Sequence, residues 1–263
     1  MGREARKVSP TGFYHIVLKG AGGQLIFEDD ACRYRFLQTV KELWGRHSLG
    51  LIAWCLMDNH VHMLVDDPES NLSHAIHGLA TSYARYFNTK TGHSGPVFNE
   101  RFKSVPILDD GQLLCCVRYI HNNPIKAGLA TAQMYPWSSF RDYMFDYFGV
   151  TDTALVLDLF GGVERFYLDS TSSEPNPYFF KEGAYISDYD AREVACALIR
   201  PYKLHEIKAL PKKERDPILV LLKSVGFRVE QISRLVDIGR NIVQRAKGDE
   251  TMSELNLSPK TQS

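Results

Sequence analysis

Two histidines, His60 and His62, stand two residues apart in the segment Met57-Asp58-Asn59-His60-Val61-His62-Met63-Leu64-Val65. On a β-strand, residues i and i+2 project to the same face, so both imidazoles meet one surface. Neutral imidazole binds several divalent metals, and two side by side can chelate one ion. A second group lies in Arg118-Tyr119-Ile120-His121-Asn122-Asn123-Pro124. On a helix Tyr119 and Asn123 are i and i+4 and share a face. A carboxamide oxygen from Asn123 could complete a metal site begun by the histidines, with the Tyr119 phenol beside the ion. Taken alone, each pair fits ordinary packing better, as half-solvated strand histidines or as a tyrosine in a helical core. Their combination is what points to chemistry.

The elements that must position these residues follow from hydropathy and turn residues. Phe13–Lys19 is rich in β-formers and stops at the glycine-rich turn Gly20–Gly23. Asp29 and Asp30 can cap a helix that carries Tyr34, Phe36, Leu37, Val40 and Leu43 at helical spacing, ending at Ser48–Gly50. Leu51–Leu56 and Val61–Val65 are strand-length apolar runs joined through Met57–Asn59. Ser70 or Asn71 can cap a second helix running to about Asn88, and Val97–Leu108 reads as a fourth strand, with Pro106 suited to a sheet edge. Gln112–Asn122 is a third helix, stopped by Pro124. The order β-α-β-β-α-β predicts an α+β fold: a ferredoxin-like split βαβ domain with an antiparallel sheet and helices on one face.

These motifs carry a family resemblance. HxH within a split βαβ fold, with Tyr and then Asn four residues later on the closing helix, resembles the HUH superfamily of single-strand DNA nickases. More narrowly, MxNHVHxLV together with YIHxNPxxAGL is similar to the REP-associated tyrosine transposases, relatives of the single-tyrosine insertion-sequence transposases. The resemblance runs over about Thr11–Phe145, with YHIVLKG, Ile26-Phe27, VFNERFKS (Val97–Ser104) and PWSS (Pro136–Ser139) in order. It implies that His60, His62 and Asn123 are metal ligands, for Mg²⁺ or Mn²⁺, and that Tyr119 is the nucleophile. Attack on a DNA phosphodiester would give a 5′-phosphotyrosine and a 3′-OH, which can reverse the reaction and join strands. The family commonly has Pro at position 58 and Arg at position 19, where this chain has Asp58 and Lys19. Asp58 could join the metal site or cap its turn, and Lys19 gives up a bidentate phosphate contact.

DNA contacts are sought among basic residues. Arg101 and Lys103 alternate with Phe102 and would face one side of the fourth strand, to hold a phosphate backbone or simply to be solvated. Arg118 adjoins the nucleophile. Near the C-terminus, Asp216 can cap a helix with Pro217 at its first position. It runs to Ser224 and stops at Gly226. Val229–Val236, the turn Asp237-Ile238-Gly239 and Arg240–Lys247 then form a helix-turn-helix. Its last helix would present Arg240, Asn241, Gln244 and Arg245, types that read base edges and phosphates, unless the module is only a packing unit. The expected organisation is a catalytic domain over 1–147, an acidic extension over 148–210, the helix-turn-helix region over 211–248 and a disordered tail over 249–263.

The 263 residues balance 31 Lys and Arg against 31 Asp and Glu, but residues 201–250 carry 11 cationic and 7 anionic side chains. No run approaches the 18 or so apolar residues of a membrane span. Charge without an apolar stretch at MGREARKVSP does not fit a secretory signal. Five cysteines without CxxC spacing support neither a disulfide framework nor a zinc knuckle. The expected protein is cytoplasmic and nucleoid-associated, works on single-stranded or hairpin DNA, and reaches duplex DNA through the helix-turn-helix. Its oligomeric state is left open. A replication-initiator-type nickase and a DNA-binding regulator with a vestigial nuclease site are the alternatives. A small-molecule metallohydrolase lacks further ligands at sensible spacing.

Overall fold

The computed structural model describes residues 7–99, 101–179, 186 and 188–247; the tail expected over 249–263 lies outside the described residues. The chain divides into two compact units, Met1–Glu174 and Pro175–Ser263.

The first unit is built on a four-stranded antiparallel sheet in the order β2-β3-β1-β4, where β1 is Phe13–Lys19, β2 Gly50–Met57, β3 His60–Asp66 and β4 Lys103–Pro106. This is the split βαβ order: β1 and β2 are joined by α1 (Asp30–Arg46) with β3 between them, and α2 (Leu72–Thr91) leads from β3 to β4. Asp29 caps α1 as expected, its carboxylate accepting the Cys32 amide at 2.9 Å. The cap of α2 comes from a different residue than Ser70 or Asn71. Asp67 accepts the amides of Asn71 (2.7 Å) and Leu72 (3.1 Å). Tyr34, expected inward on α1, is half exposed and meets Trp137 edge-on.

Register fixes the faces. Val17 pairs with His62, Lys19 with His60 and His15 with Leu64, so these six residues share one face. Ile16, Leu18, Val61, Met63 and Val65 point to the other, are buried, and form the core with the crossover helices α1 and α2. Helix α3 (Asp110–His121) packs on the histidine face, against β2 and β3. At the end of β1, Gly20 is required by a close approach. A Cβ there would sit 2.2 Å from the Gln24 carbonyl oxygen.

The fourth strand is shorter than Val97–Leu108. Among the described residues, Lys103–Pro106 forms the ladder with β1, and Phe98 makes a separate bridge to Gly20. Pro106 lies on an edge strand, where its missing N–H costs no ladder bond. The opposite edge, β2, is covered by the Pro136–Ser139 segment. Leu56 N–H donates to Trp137 O, Ser139 N–H donates to Trp54 O, and Ser139 Oγ accepts the Trp54 amide.

Of the expected acidic extension over 148–210, residues 148–174 lie within the first unit and residues 175–210 within the second. Helices α4 (Asn123–Lys126), α5 (Phe140–Phe145), α6 (Ala154–Phe160) and α7 (Val163–Ser170) belong to the first unit, and Phe166 of α7 stacks on Tyr143 at 4.4 Å. The wholly buried His121 sits among Phe140, Tyr143 and Phe166, with Nε2 2.7 Å from Ser139 Oγ. Burial holds its pKa down to about 3 from 6.5. The unfolded chain therefore takes up a proton below pH 6.5 that the folded ring refuses until about pH 3. Stability is full above pH 6.5 and falls as pH drops through that window, by up to about 1.4 kcal/mol per pH unit. Thermal midpoints measured from pH 7 to pH 4 should fall less steeply in His121→Gln, and an unchanged slope would count against this ring as the cause.

The second unit is helical, with α8 (Asp188–Leu198), α9 (Lys212–Val225), α10 (Val229–Val236) and α11 (Arg240–Arg245). Ile199, Ile207, Leu219, Leu222, Ile232 and Val243 are among its buried core. Helix α9 starts at Lys212, before the expected Asp216 cap, and places Pro217 inside it; Asp216 is instead buried beside Arg215 at 2.9 Å. Asp237 (φ 50°) adopts the left-handed conformation that ends α10 and turns the chain into α11. Ile242 of α11 is exposed, while Val243 is buried.

Candidate active site on the histidine face

The hairpin turn Asp58–Asn59 feeds His60 into β3 at the sheet end, half-buried, and His62 one pleat further in, buried. Their rings stand 5.0 Å apart and nearly perpendicular. Tyr119, on α3, reaches down to the same face. Its ring is 5.8 Å from His62 and 5.7 Å from His15, and only 5% of the residue is exposed. The fold thus brings together His60, His62 and Tyr119 from segments almost sixty residues apart.

Two neighbours were not singled out from the sequence. His15, wholly buried on β1, places Nε2 2.9 Å from His62 Nδ1. Lys126, on α4, holds its Nζ 4.3 Å from the Tyr119 ring centroid, a cation–π distance. The signal for His15 is its strand parity with Lys19. That parity becomes informative only once β1 is known to pair with β3 in this register.

Both proposed ligand rings are neutral at physiological pH. Burial, then the Lys19 ammonium, lowers His60 to about 4 against the opposing pull of Asp58. His62 lies well below 6.5 through burial first, then His15, His60 and Lys126. A neutral ring keeps the lone pair that a metal requires. The donor set can be tested atom by atom. His60 Nδ1 is 2.7 Å from Asn59 Oδ1, and His62 Nδ1 faces His15, so Nε2 is the nitrogen through which each ring would hold a cation. The carboxamide of Asn123 donates through Nδ2 to the carbonyls of Tyr119 (2.9 Å) and Ile120 (3.4 Å), which makes Oδ1 the atom to serve a cation. Among the described residues no three His, Cys, Asp or Glu side chains converge as a metal cluster. As donor types, two imidazoles and a carboxamide oxygen would suit a mixed site completed by oxygens from substrate or water.

Asn123 is not a continuation of the α3 face. The helix stops at His121, Asn122 breaks it (φ −90°, ψ 1°), and Asn123 opens α4. Its link to Tyr119 is the hydrogen bond to that residue's backbone. Asp58 neither joins the histidines nor caps the turn through its side chain; it pairs with Arg33 of α1 at 2.5 Å.

The expected DNA contacts separate. Lys103 pairs with Val17 and so shares the histidine face. Arg101 is exposed but precedes β4, so strand alternation does not align it with Lys103. Arg118 is a correction. It is buried, its guanidinium donates to the carbonyls of Ser172 (2.9 Å) and Glu174, and Asp169 lies 3.8 Å away. That commitment ties α3 to the chain after α7 and takes Arg118 out of the DNA-contact set. Arg240, Asn241, Gln244 and Arg245 are all exposed on or beside α11.

The family described as IS200-like transposase matches residues 10–123. A REP-associated tyrosine transposase of Haemophilus influenzae is 26% identical over 118 residues, covering 40% of this chain and 67% of that protein. Among solved structures, a REP-associated tyrosine transposase bound to a REP hairpin aligns with a TM-score of 0.46 and 18% identity, over 58% of this chain and 89% of its own. A transposase-like protein of Deinococcus radiodurans aligns with a TM-score of 0.33 and 16% identity, over 46% and 97%.

Proposed function

We propose that this chain, whose residues 10–123 match the IS200-like transposase family, works as a REP-associated tyrosine transposase that cuts and rejoins single-stranded DNA. The observation that carries this reading is the single face on which His60, His62 and Tyr119 meet.

In the proposed reaction Tyr119 Oη attacks a phosphodiester phosphorus. The P–O3′ bond breaks, the phenol proton leaves to solvent, and the departing 3′ oxygen takes up a proton. The products are a 5′-phosphotyrosine and a free 3′-OH. Attack by a 3′-OH on the phosphotyrosine reverses these steps and joins strands without another energy source. A divalent ion such as Mg²⁺ or Mn²⁺, when bound, would polarise the scissile phosphate and offset charge gathering on its oxygens. His60 and His62 would hold it through Nε2, with Asn123 Oδ1 as the oxygen ligand. Lys103 and Lys19, on the same face, would attract the DNA backbone, and Lys126 would keep positive charge beside Tyr119. A protein doing this work would be found with the nucleoid, as expected from the sequence.

The test of the chemistry is an end-labelled single strand from the DNA flanking the gene, incubated with Mg²⁺ or Mn²⁺ and run under denaturing conditions. A protein–DNA adduct and a labelled 3′-OH product are expected. Binding without cutting or joining would favour the regulator.

The α10–α11 pair is proposed as a second contact, to duplex or hairpin DNA. Replacing Arg240 and Arg245 together by Ala should weaken binding to stem-containing DNA and reduce the slope of log K against log salt by about 2, one unit per lost phosphate contact. An unchanged slope, read by fluorescence anisotropy, would make this unit a packing module.

A further inference from the structure

His15 sits in the middle of β1 with no exposed surface, on the face of His60 and His62. Its Nε2 lies 2.9 Å from His62 Nδ1, and its ring meets Tyr119 edge-on at 5.7 Å. Among the described residues no three histidines or acids converge on a point. Its Nε2 faces a ring nitrogen of His62, an arrangement that makes it a partner of the ligand and not a further ligand.

We propose that His15 is a positioning residue for His62, setting the tautomer and ring rotation with which His62 meets the metal. The inference rests on the metal-site reading above. A neutral imidazole carries one N–H and one lone pair, so the short contact can form in two ways. If His15 Nε2–H donates, His62 carries its hydrogen on Nε2 and cannot coordinate through that atom. If His62 Nδ1–H donates, His15 Nε2 accepts, and His62 Nε2 keeps its lone pair. Only the second arrangement makes His62 a ligand, and it places the hydrogen of His15 on Nδ1. His60 obtains the same service from a different source. A carboxamide oxygen can only accept, so Asn59 Oδ1 draws the His60 hydrogen to Nδ1 at 2.7 Å. The two rings are therefore oriented by an amide at the hairpin turn and by a buried imidazole on β1. A buried orienting group of this kind holds its ring in one pose before any ion arrives, and partners in this position commonly tune ligand strength.

The experiment is Mn²⁺ binding to the full chain, followed by electron paramagnetic resonance, with echo modulation reporting coordinated imidazole nitrogen. Thermal midpoints are recorded alongside. His15→Phe removes the acceptor and is expected to weaken Mn²⁺ binding by about 10–100-fold, with loss of one imidazole signal. His15→Gln, whose Oε1 can accept the same hydrogen bond, should restore most of the affinity. A merely structural role would lower the thermal midpoint of both variants and leave Mn²⁺ affinity and nitrogen signals alone, which would overturn the proposal. Glutamine performing no better than phenylalanine would overturn it too. Should His15→Phe fail to fold, His15→Gln against His15→Asn, whose side chain is too short to reach His62, makes the same comparison. His60→Ala separates the two levels. If the wild type shows no imidazole-bound Mn²⁺, or His60→Ala binds it equally well, the metal site itself falls and the role of His15 falls with it. If His60→Ala loses binding while the His15 variants keep it, only the role of His15 is wrong.

Discussion

Tyr119→Phe will form no covalent adduct with single-stranded DNA and will cleave it at least about a thousandfold more slowly than the wild type. The substitution removes one oxygen and keeps the ring that packs against His15, His62 and the Lys126 ammonium. The fold and the metal face are therefore expected to survive, and single-stranded DNA should bind within a few-fold of the wild-type affinity. What disappears is the atom that, in the proposed reaction, carries the strand between breakage and rejoining. Loss of a nucleophile removes an interaction made in the transition state, so the deficit belongs in the turnover rate and not in binding. The measurement is adduct yield on a denaturing gel, with binding followed by anisotropy on the same oligonucleotide. Residual cleavage by Tyr119→Phe at near wild-type rate would mean that water or another side chain is the nucleophile, and the transposase mechanism would have to be abandoned.

The sheet and its two crossover helices were legible because each strand or helix carries its own punctuation. Gly20–Gly23 ends β1, Asp29 caps α1, and the two-residue turn Asp58–Asn59 divides β2 from β3. The sequence also placed His60 and His62 on one face, since strand parity is local. It overextended β4, because β-forming Val97, Phe98 and Phe102 lead through a basic segment into the apolar Val105, Ile107 and Leu108. Only register with β1 separates the bridge at Phe98 from the ladder at Lys103–Pro106. Residues 148–210 read as an extension for a similar reason. Val156 and Phe166 are buried by partners distant in sequence, such as Phe166 by His121 and Tyr143, and no local periodicity reports such contacts. Arg118 was misread through proximity alone. One residue before Tyr119 on a helix is about 100° around its axis, enough to send the guanidinium toward Ser172 and Glu174 and not toward the sheet. His15 was invisible as a site residue because its meaning lies in which residue of β3 stands beside it.

Chelation is expected to abolish adduct formation, and His62→Gln to lower it by at least about a hundredfold at saturating Mg²⁺ or Mn²⁺. The argument starts from burial. His62 is buried, with its pKa pushed well below 6.5, and burying polar rings costs more than burying apolar side chains of similar size. In the proposed reaction, a buried, neutral, oriented ring beside a tyrosine would suit a cation held on a phosphate oxygen. Glutamine is similar in reach but offers an amide where the site needs an imidazole lone pair, so the packing is largely kept while the ligand is weakened. DNA binding in EDTA should be close to normal, because the cationic side chains Lys19 and Lys103 sit on this face independently of any ion. Returning Mn²⁺ to the chelated wild type should restore cleavage in full, whereas His62→Gln should need far higher concentrations to recover a fraction of it. Adduct formation that persists in EDTA would instead assign the charge stabilisation to Lys126 and its neighbours, and His60 and His62 would become packing residues of the sheet.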